Sequence, residues 1–264
     1  MLEGTNVIGL IAGEGKLPLI IYDRLHPKPV VVGLGNVDKS LKVDFPLQNA
    51  DIDGVINFLK GKGVELLFLA GRVPKAWIFD PSKLTSKSLA FLGSLKNKSD
   101  HEILGRIVEL FEMEGFRVGD YRKLIEDLLA PRGSFGSREP TAEEWRDISY
   151  GFNIAKRMAA MSFGQTVVLK NGAVLAVEAI EGTDEAIRRG AKYGGSGIVV
   201  VKVIKEGQDL RYDLPTIGVE TLKLLGDVKA SCLAVEAGVT VILDKEDVLR
   251  IASENGIALV GVSS

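Results

Sequence analysis

Residues 174–221 read VLAVEAIEGTDEAIRRGAKYGGSGIVVVKVIKEGQDLRYDLPTIGVET. Two β-rich apolar runs, 174–177 and 198–204, bracket a charged stretch in which Thr183, as N-cap, predicts a helix through Lys192. Strand, helix and strand in succession predict an α/β fold. Each run delivers charge and glycine at its carboxyl end: Glu178, Glu181, Gly182, Thr183 and Asp184, then Arg188 and Arg189, after the first, and Gln208, Asp209, Arg211 and Asp213 after the second. Both signs packed against strand ends point to a phosphate-bearing ligand with a metal. The alternative is that these are solvated strand ends with ordinary ion pairs.

Working outward, Asn171-Gly172 between two apolar runs is a hairpin signal, because both residues tolerate positive φ. Thr141-Ala142-Glu143-Glu144 reads as a capping box opening a long helix with Trp145, Ile148, Phe152, Ala155 and Ala159 on its inner stripe. Beyond Pro215 we expect a short helix, strands near 233–236 and 240–243, a helix over 245–254 and a last strand near 258–262. Upstream, residues 131–140 (PRGSFGSREP) have the composition of a linker. The expected division is therefore an N-terminal domain over 1–131, a linker over 132–140 and a C-terminal α/β catalytic domain over 141–264.

In the N-terminal part, a strand over 7–11 meets Gly13-Glu14-Gly15-Lys16, with Pro18 in the first turn of the following helix. Strands over 30–34 and 66–70, with a helix over 52–62 capped by Asp51, predict a Rossmann-like parallel sheet. Ligands of such sheets sit beyond the strand carboxyl ends, where Gly13, Gly15, Gly35, Gly71 and Arg72 fall, and Lys16 joins Gly13, Gly15, Gly71 and Arg72 as a candidate substrate-binding residue. Glycines here can equally serve only to make tight turns. Ser99-Asp100-His101-Glu102 fits a capping box, with His101 in a first helical turn, and a short helix is expected over 123–129.

Composition narrows the function. Thirty-three basic and 35 acidic residues nearly balance, and no long Lys/Arg run appears, which argues against nucleic acid as a partner. No apolar run reaches membrane-spanning length, and the reading is a cytoplasmic protein. Cys232 is the sole cysteine, so an internal disulfide is excluded, and its apolar neighbours predict an inert core thiol. With two histidines, an imidazole-built metal centre is not expected.

Asp209, Arg211 and Asp213 are spaced by two and, if extended, emerge on one face. Two carboxylates beside a guanidinium can form a simple ion pair and its neighbour. They can equally hold Mg²⁺ while the arginine grips a phosphate. No recognisable Ser or Cys nucleophile accompanies a histidine, so activated water is the expected nucleophile. Gly182, Thr183, Asp184, Arg188, Lys202 and Gln208 join the candidate substrate-binding residues.

The segments IGLIAGEGKLP, VLAVEAIEGTDEAIRR and GQDLRYDLPTIGVET together resemble the UDP-2,3-diacylglucosamine pyrophosphatase family of lipid A biosynthesis, the type unrelated to calcineurin-like phosphoesterases. The resemblance implies two α/β domains with the ligand between them, and Mg²⁺-dependent hydrolysis of the sugar-nucleotide diphosphate to UMP and 2,3-diacylglucosamine 1-phosphate. It matches the family's essential aspartate to Asp213, with Asp209 as second candidate, and both are expected metal ligands. It also implies a lipid substrate, peripheral contact with the inner membrane and, as a further expectation, a homodimer. Where the family usually has D-V-G-Q, this chain has Ser162-Phe163-Gly164-Gln165, so that acid is absent. The competing expectation is a non-catalytic nucleotide-sugar binding or regulatory protein.

Overall fold

A computed structural model describes residues 7–47, 49–72, 88, 93, 100–161, 163–205 and 207–263. Contacts divide the chain into two units, Met1–Ile125 with Asp209–Asp213, and Glu126–Gln208 with Leu214–Ser264.

The first unit is built on strands β1 (Val7–Ala12), β2 (Val30–Leu34), β3 (Phe45–Leu47), β4 (Val64–Ala70) and β5 (Arg117–Val118). They form one sheet in the order β3-β2-β1-β4-β5, every neighbouring pair parallel. Continuous apolar runs such as VIGLIA and the LLFLA of residues 66–70 suit strands covered on both faces. Helices α1 (Leu17–Arg24), α2 (Ile52–Gly61) and α3 (Asp100–Met113) connect them. Asp51 caps α2 as expected, its Oδ1 accepting from the Gly54 N–H at 3.0 Å. Val32, Leu59, Leu67, Val108 and Phe111 meet in the core. β3 has no counterpart in the sequence reading: three residues, one of them Pro46, are too few to show a period. The capping box expected before α3 includes Ser99, which lies outside the described residues, as does most of 74–95.

The second unit carries β6 (Gly133–Ser134), α4 (Ala142–Ala160), β7 (Thr166–Lys170), β8 (Ala173–Val177), α5 (Thr183–Gly194), β9 (Val199–Lys202), β10 (Thr216–Ile217), α6 (Val219–Asp227), β11 (Cys232–Glu236), β12 (Val241–Ile242), α7 (Lys245–Glu254) and β13 (Ala258–Val262). Six strands form a mixed sheet, β6-β13-β11-β9-β7-β8, while β10 and β12 pair separately. Alternation along β7 and β9 sends Val168, Ile198 and Val200 into the core shared with α5, α6 and α7. Val167, Leu169, Val199 and Val201 face the other way, against α4. The hairpin turn forms as expected, with Asn171 at φ 51° and Gly172 at φ 79°. Buried Asp147 accepts both turn amides, at 2.8 and 2.6 Å.

The contacts draw the division differently from the sequence. Contacts change unit between Ile125 and Glu126, inside the 3₁₀ segment Arg122–Leu128, which kinks at Ile125. The stretch 132–140, read as a linker, is structured within the second unit. β6 pairs with β13, Phe135 N–H donates to the Leu259 carbonyl at 2.9 Å, and Arg138 makes a fork onto Glu144 at 2.7 and 2.9 Å. Its glycines and prolines serve an edge strand and its turns. The segment Asp209–Asp213 also leaves the unit to which the sequence assigned it.

Candidate functional site

In the first unit the strand order reverses between β1 and β4, the position at which ligands of open parallel sheets collect. The loops leaving these strands carry Gly13, Gly15, Lys16, Gly71 and Arg72, but they are occupied with each other. Gly13 N–H donates to the Ala70 carbonyl at 2.8 Å, and Glu14 and Arg72 exchange a pair of backbone bonds at 2.8 and 3.0 Å. A Cβ on Gly13 would collide with the Arg72 carbonyl, and one on Gly71, at φ 91°, with Pro18 and the Gly13–Glu14 backbone. These two glycines exist to let two loops cross. Gly15 differs, since a Cβ there would meet nothing within 4 Å. It precedes α1, whose N-cap Lys16 makes no side-chain cap.

In the second unit, β8, β9, β11 and β13 run in one direction, so their carboxyl ends share an edge with the amino end of β7. Glu178, Lys202 and Thr166 meet there. Lys202 stands opposite Thr166 and continues the face of Val200, which brings its half-buried side chain under the start of α5. Thr183 Oγ1 donates to Glu178 Oε1 at 3.0 Å, and the Thr166 and Thr183 hydroxyls are 3.4 Å apart. Gln165 N–H reaches Glu178 Oε2 at 3.4 Å. Burial lowers the Lys202 pKa, against the opposing pull of the Glu178 and Asp184 carboxylates. Lys202 makes no ion pair within 4 Å among the described residues, whereas nearby Lys156 is matched to Glu236 at 3.2 Å.

The expected helix start needs adjustment. Gly182, at φ 85°, is the N-cap, and Thr183 is the first helical residue, its hydroxyl turned to Glu178. No side chain caps this helix, and Asp184 and Glu185 occupy its first turn. Lys202 brings positive charge to this edge. Arg188 is exposed, 3.9 Å from Glu185, so it stays outside this group of side chains. Its neighbour Arg189 turns inward, pairing with Glu181 at 2.6 Å and donating to the Val177 carbonyl. Gln208 Oε1 accepts from Lys205 N–H at 3.0 Å, closing the turn after β9.

Asp209, Arg211 and Asp213 are not extended. Arg211 N–H donates to Asp209 Oδ1 at 3.0 Å and Asp213 N–H to the Asp209 carbonyl at 3.2 Å, so the segment is a turn. Pro215 restrains only Leu214, and an aspartate readily accepts from the amide two residues on. The Arg211 guanidinium lies across Asp209, with Nε 3.0 Å from both oxygens and Nη2 2.7 Å from Oδ2. Its Nη1 donates to Glu112 on α3 at 2.6 Å. Tyr212 is buried in the core of the first unit, and burial, with Asp209 beside it, pushes its phenol up to about 12. Burial also raises the Tyr121 pKa, and the Asp213 charge pushes it the same way.

Among the described residues, no group of three or more His, Cys, Asp or Glu is arranged to hold a metal. Both Asp209 oxygens accept from Arg211, so a cation there would have to displace the guanidinium. Mg²⁺ can take as few as one or two carboxylates and complete its shell with water and phosphate oxygens, so a larger carboxylate group is not a requirement for it. Glu112 and Tyr121 escaped the sequence reading because each lies some ninety residues before Asp209, with no motif joining them.

Residues 7–128 match the LpxI N-terminal domain, and residues 131–260 the LpxI C-terminal domain. A UDP-2,3-diacylglucosamine pyrophosphatase LpxI of Caulobacter vibrioides is 30% identical over 273 residues, spanning 97% of this chain and 97% of its own.

Proposed function

The chain belongs to the LpxI family, and on that premise we propose that it hydrolyses the diphosphate of UDP-2,3-diacylglucosamine to UMP and 2,3-diacylglucosamine 1-phosphate, with Mg²⁺ as cofactor. One observation carries the reading: the family match covers both units, including RYDLPTIG with Asp213.

The chemistry asks little of a nucleophilic side chain. A water oxygen bonds to one phosphorus as the bridging P–O bond breaks, the water proton passes to a base, and the bridging oxygen leaves on the other phosphate. A carboxylate repels phosphate, so Asp213 acts by orienting and deprotonating that water or as a metal ligand. Lys202, beside the start of α5 and with no ion pair among the described residues, supplies positive charge for the diphosphate, and the hydroxyl of Thr183 is held by Glu178. Mg²⁺, when bound at Asp213, would offset charge on the diphosphate oxygens. The lipid substrate requires access to a membrane face, and the proposal includes peripheral contact with the inner membrane. Among the described residues, no helix is long and apolar enough to cross a membrane.

The test is turnover of UDP-2,3-diacylglucosamine by the purified protein. UMP should appear with Mg²⁺, cease with excess chelator and return when Mg²⁺ is restored. Full turnover in chelator would overturn the cofactor. Tight binding of substrate with no UMP in any divalent metal would replace the enzyme by a nucleotide-sugar binding protein.

A further inference from the structure

The turn that carries Asp213 belongs by contact to the first unit, although the chain on either side of it belongs to the second. Two different kinds of contact fix it there. Tyr212 is 8% exposed and joins a core with Val108 and Phe111 of α3, its hydroxyl close to where a Cβ on Gly105 would stand. That burial sets where the turn sits, because removing an aromatic ring from water is the largest apolar term available to so short a segment. It does not set how the turn is rotated, since a single ring is one point of attachment. Rotation is fixed by Arg211, whose guanidinium bonds Asp209 on the turn and Glu112 in the last turn of α3.

We propose that Glu112 is a positioning residue for diphosphate hydrolysis, acting through Arg211 and Asp209 to hold the turn on which Asp213 is carried. The inference rests on the reading of Asp213 as the catalytic carboxylate. Glu112 touches no reacting atom in it. A planar guanidinium with five donors can satisfy two carboxylates in fixed directions, and lysine could not do the same. Because Asp213 N–H donates to the Asp209 carbonyl, the orientation of Asp209 passes to the backbone of Asp213 through one hydrogen bond. The other nearby guanidinium, Arg122, is matched to Asp120 in a bidentate pair.

A surface ion pair with no positioning role would leave the rate intact when broken, and its stability effect would be small. Glu112→Ala should instead lower kcat about tenfold, since small displacements of a reacting group are costly, while KM changes by less than about twofold. Glu112→Gln keeps an acceptor for Arg211 and should recover most of the loss. Neither change should shift the thermal midpoint by more than about 2 °C, because Tyr212 remains buried. Asp213→Asn is measured alongside. If Asp213→Asn is inactive and Glu112→Ala keeps the wild-type kcat, the positioning role is overturned and the reading of Asp213 stands. If Asp213→Asn is fully active, both fall. Equal losses in Glu112→Ala and Glu112→Gln with a lowered thermal midpoint would make Glu112 merely structural.

Discussion

At Lys202 the cost of burial and the use of the charge can be separated. Folding moves its ammonium into a setting that lowers the pKa, chiefly by burial. For a base whose folded pKa lies below its unfolded value, the penalty is full while the group stays protonated and fades as pH rises through the folded value. At neutral pH the lysine is therefore a load on stability. Lys202→Met, of similar length, should keep or raise the thermal midpoint yet lower kcat/KM about 10-fold to 100-fold, as expected for loss of a charge-assisted contact. Unchanged kinetics would remove Lys202 from the substrate site. Sequence exposed this residue only as a lysine ending a Val-rich run. The alternation that turns it to the side of α5 is readable, but Thr166, Thr183 and Glu178 become its neighbours only once β7 and β9 pair in register.

Among the elements, the β1 and β4 loops show why a glycine-rich strand end is a weak indicator of a ligand. Gly13-x-Gly15 looks like a phosphate turn, yet the amides of Gly13 and Glu14 are already committed to Ala70 and Arg72. Gly13 and Gly15 consequently differ in kind. Gly13→Ala must push a methyl group into the Arg72 carbonyl and part the crossing, a loss of about 2–3 kcal/mol typical of overpacking against backbone. Gly15→Ala has room for its methyl and loses only the ease of φ 100°, worth about 1–2 kcal/mol. Chemical denaturation of both variants checks this ranking. A Gly13→Ala protein as stable as the parent would mean that the loops do not cross so closely.

Over the whole second unit, one arginine joins segments far apart in the chain. Arg138 lies in the stretch whose composition reads as linker, and it donates to Glu144 on α4 and to the carbonyls of Ser231 and Gly256 beside β11 and β13. Burial alone would raise the Glu144 pKa, but hydrogen bonds from Arg138 and the Thr141 N–H outweigh it, and the net shift is downward. For an acid with a lowered folded pKa, the stabilising contribution is complete above the unfolded value, about 4.3, and disappears as pH falls through the folded one. Glu144→Gln should then be less stable than the parent at pH 7, with the difference closing below about pH 4. Thermal midpoints measured from pH 7 to 3 test this. A difference independent of pH would assign the loss to packing.

Sequence alone determined the local pieces, because their causes are local. The Asp51 and Thr141 caps, the Asn171-Gly172 turn and the apolar strands each depend on residues within a few positions. The parallel pairing of β1, β2 and β4 and the β7–β8 hairpin follow from the order of those pieces. Tertiary structure decided where Asp213 is held. An aspartate two residues from an arginine reads as an extended pair or as a turn, and nothing nearby chooses between them. Burial of Tyr212 against α3 and the reach of Arg211 to Glu112 choose the turn and the unit. Those partners lie about a hundred residues away along the chain, and only the folded core brings them within bonding distance.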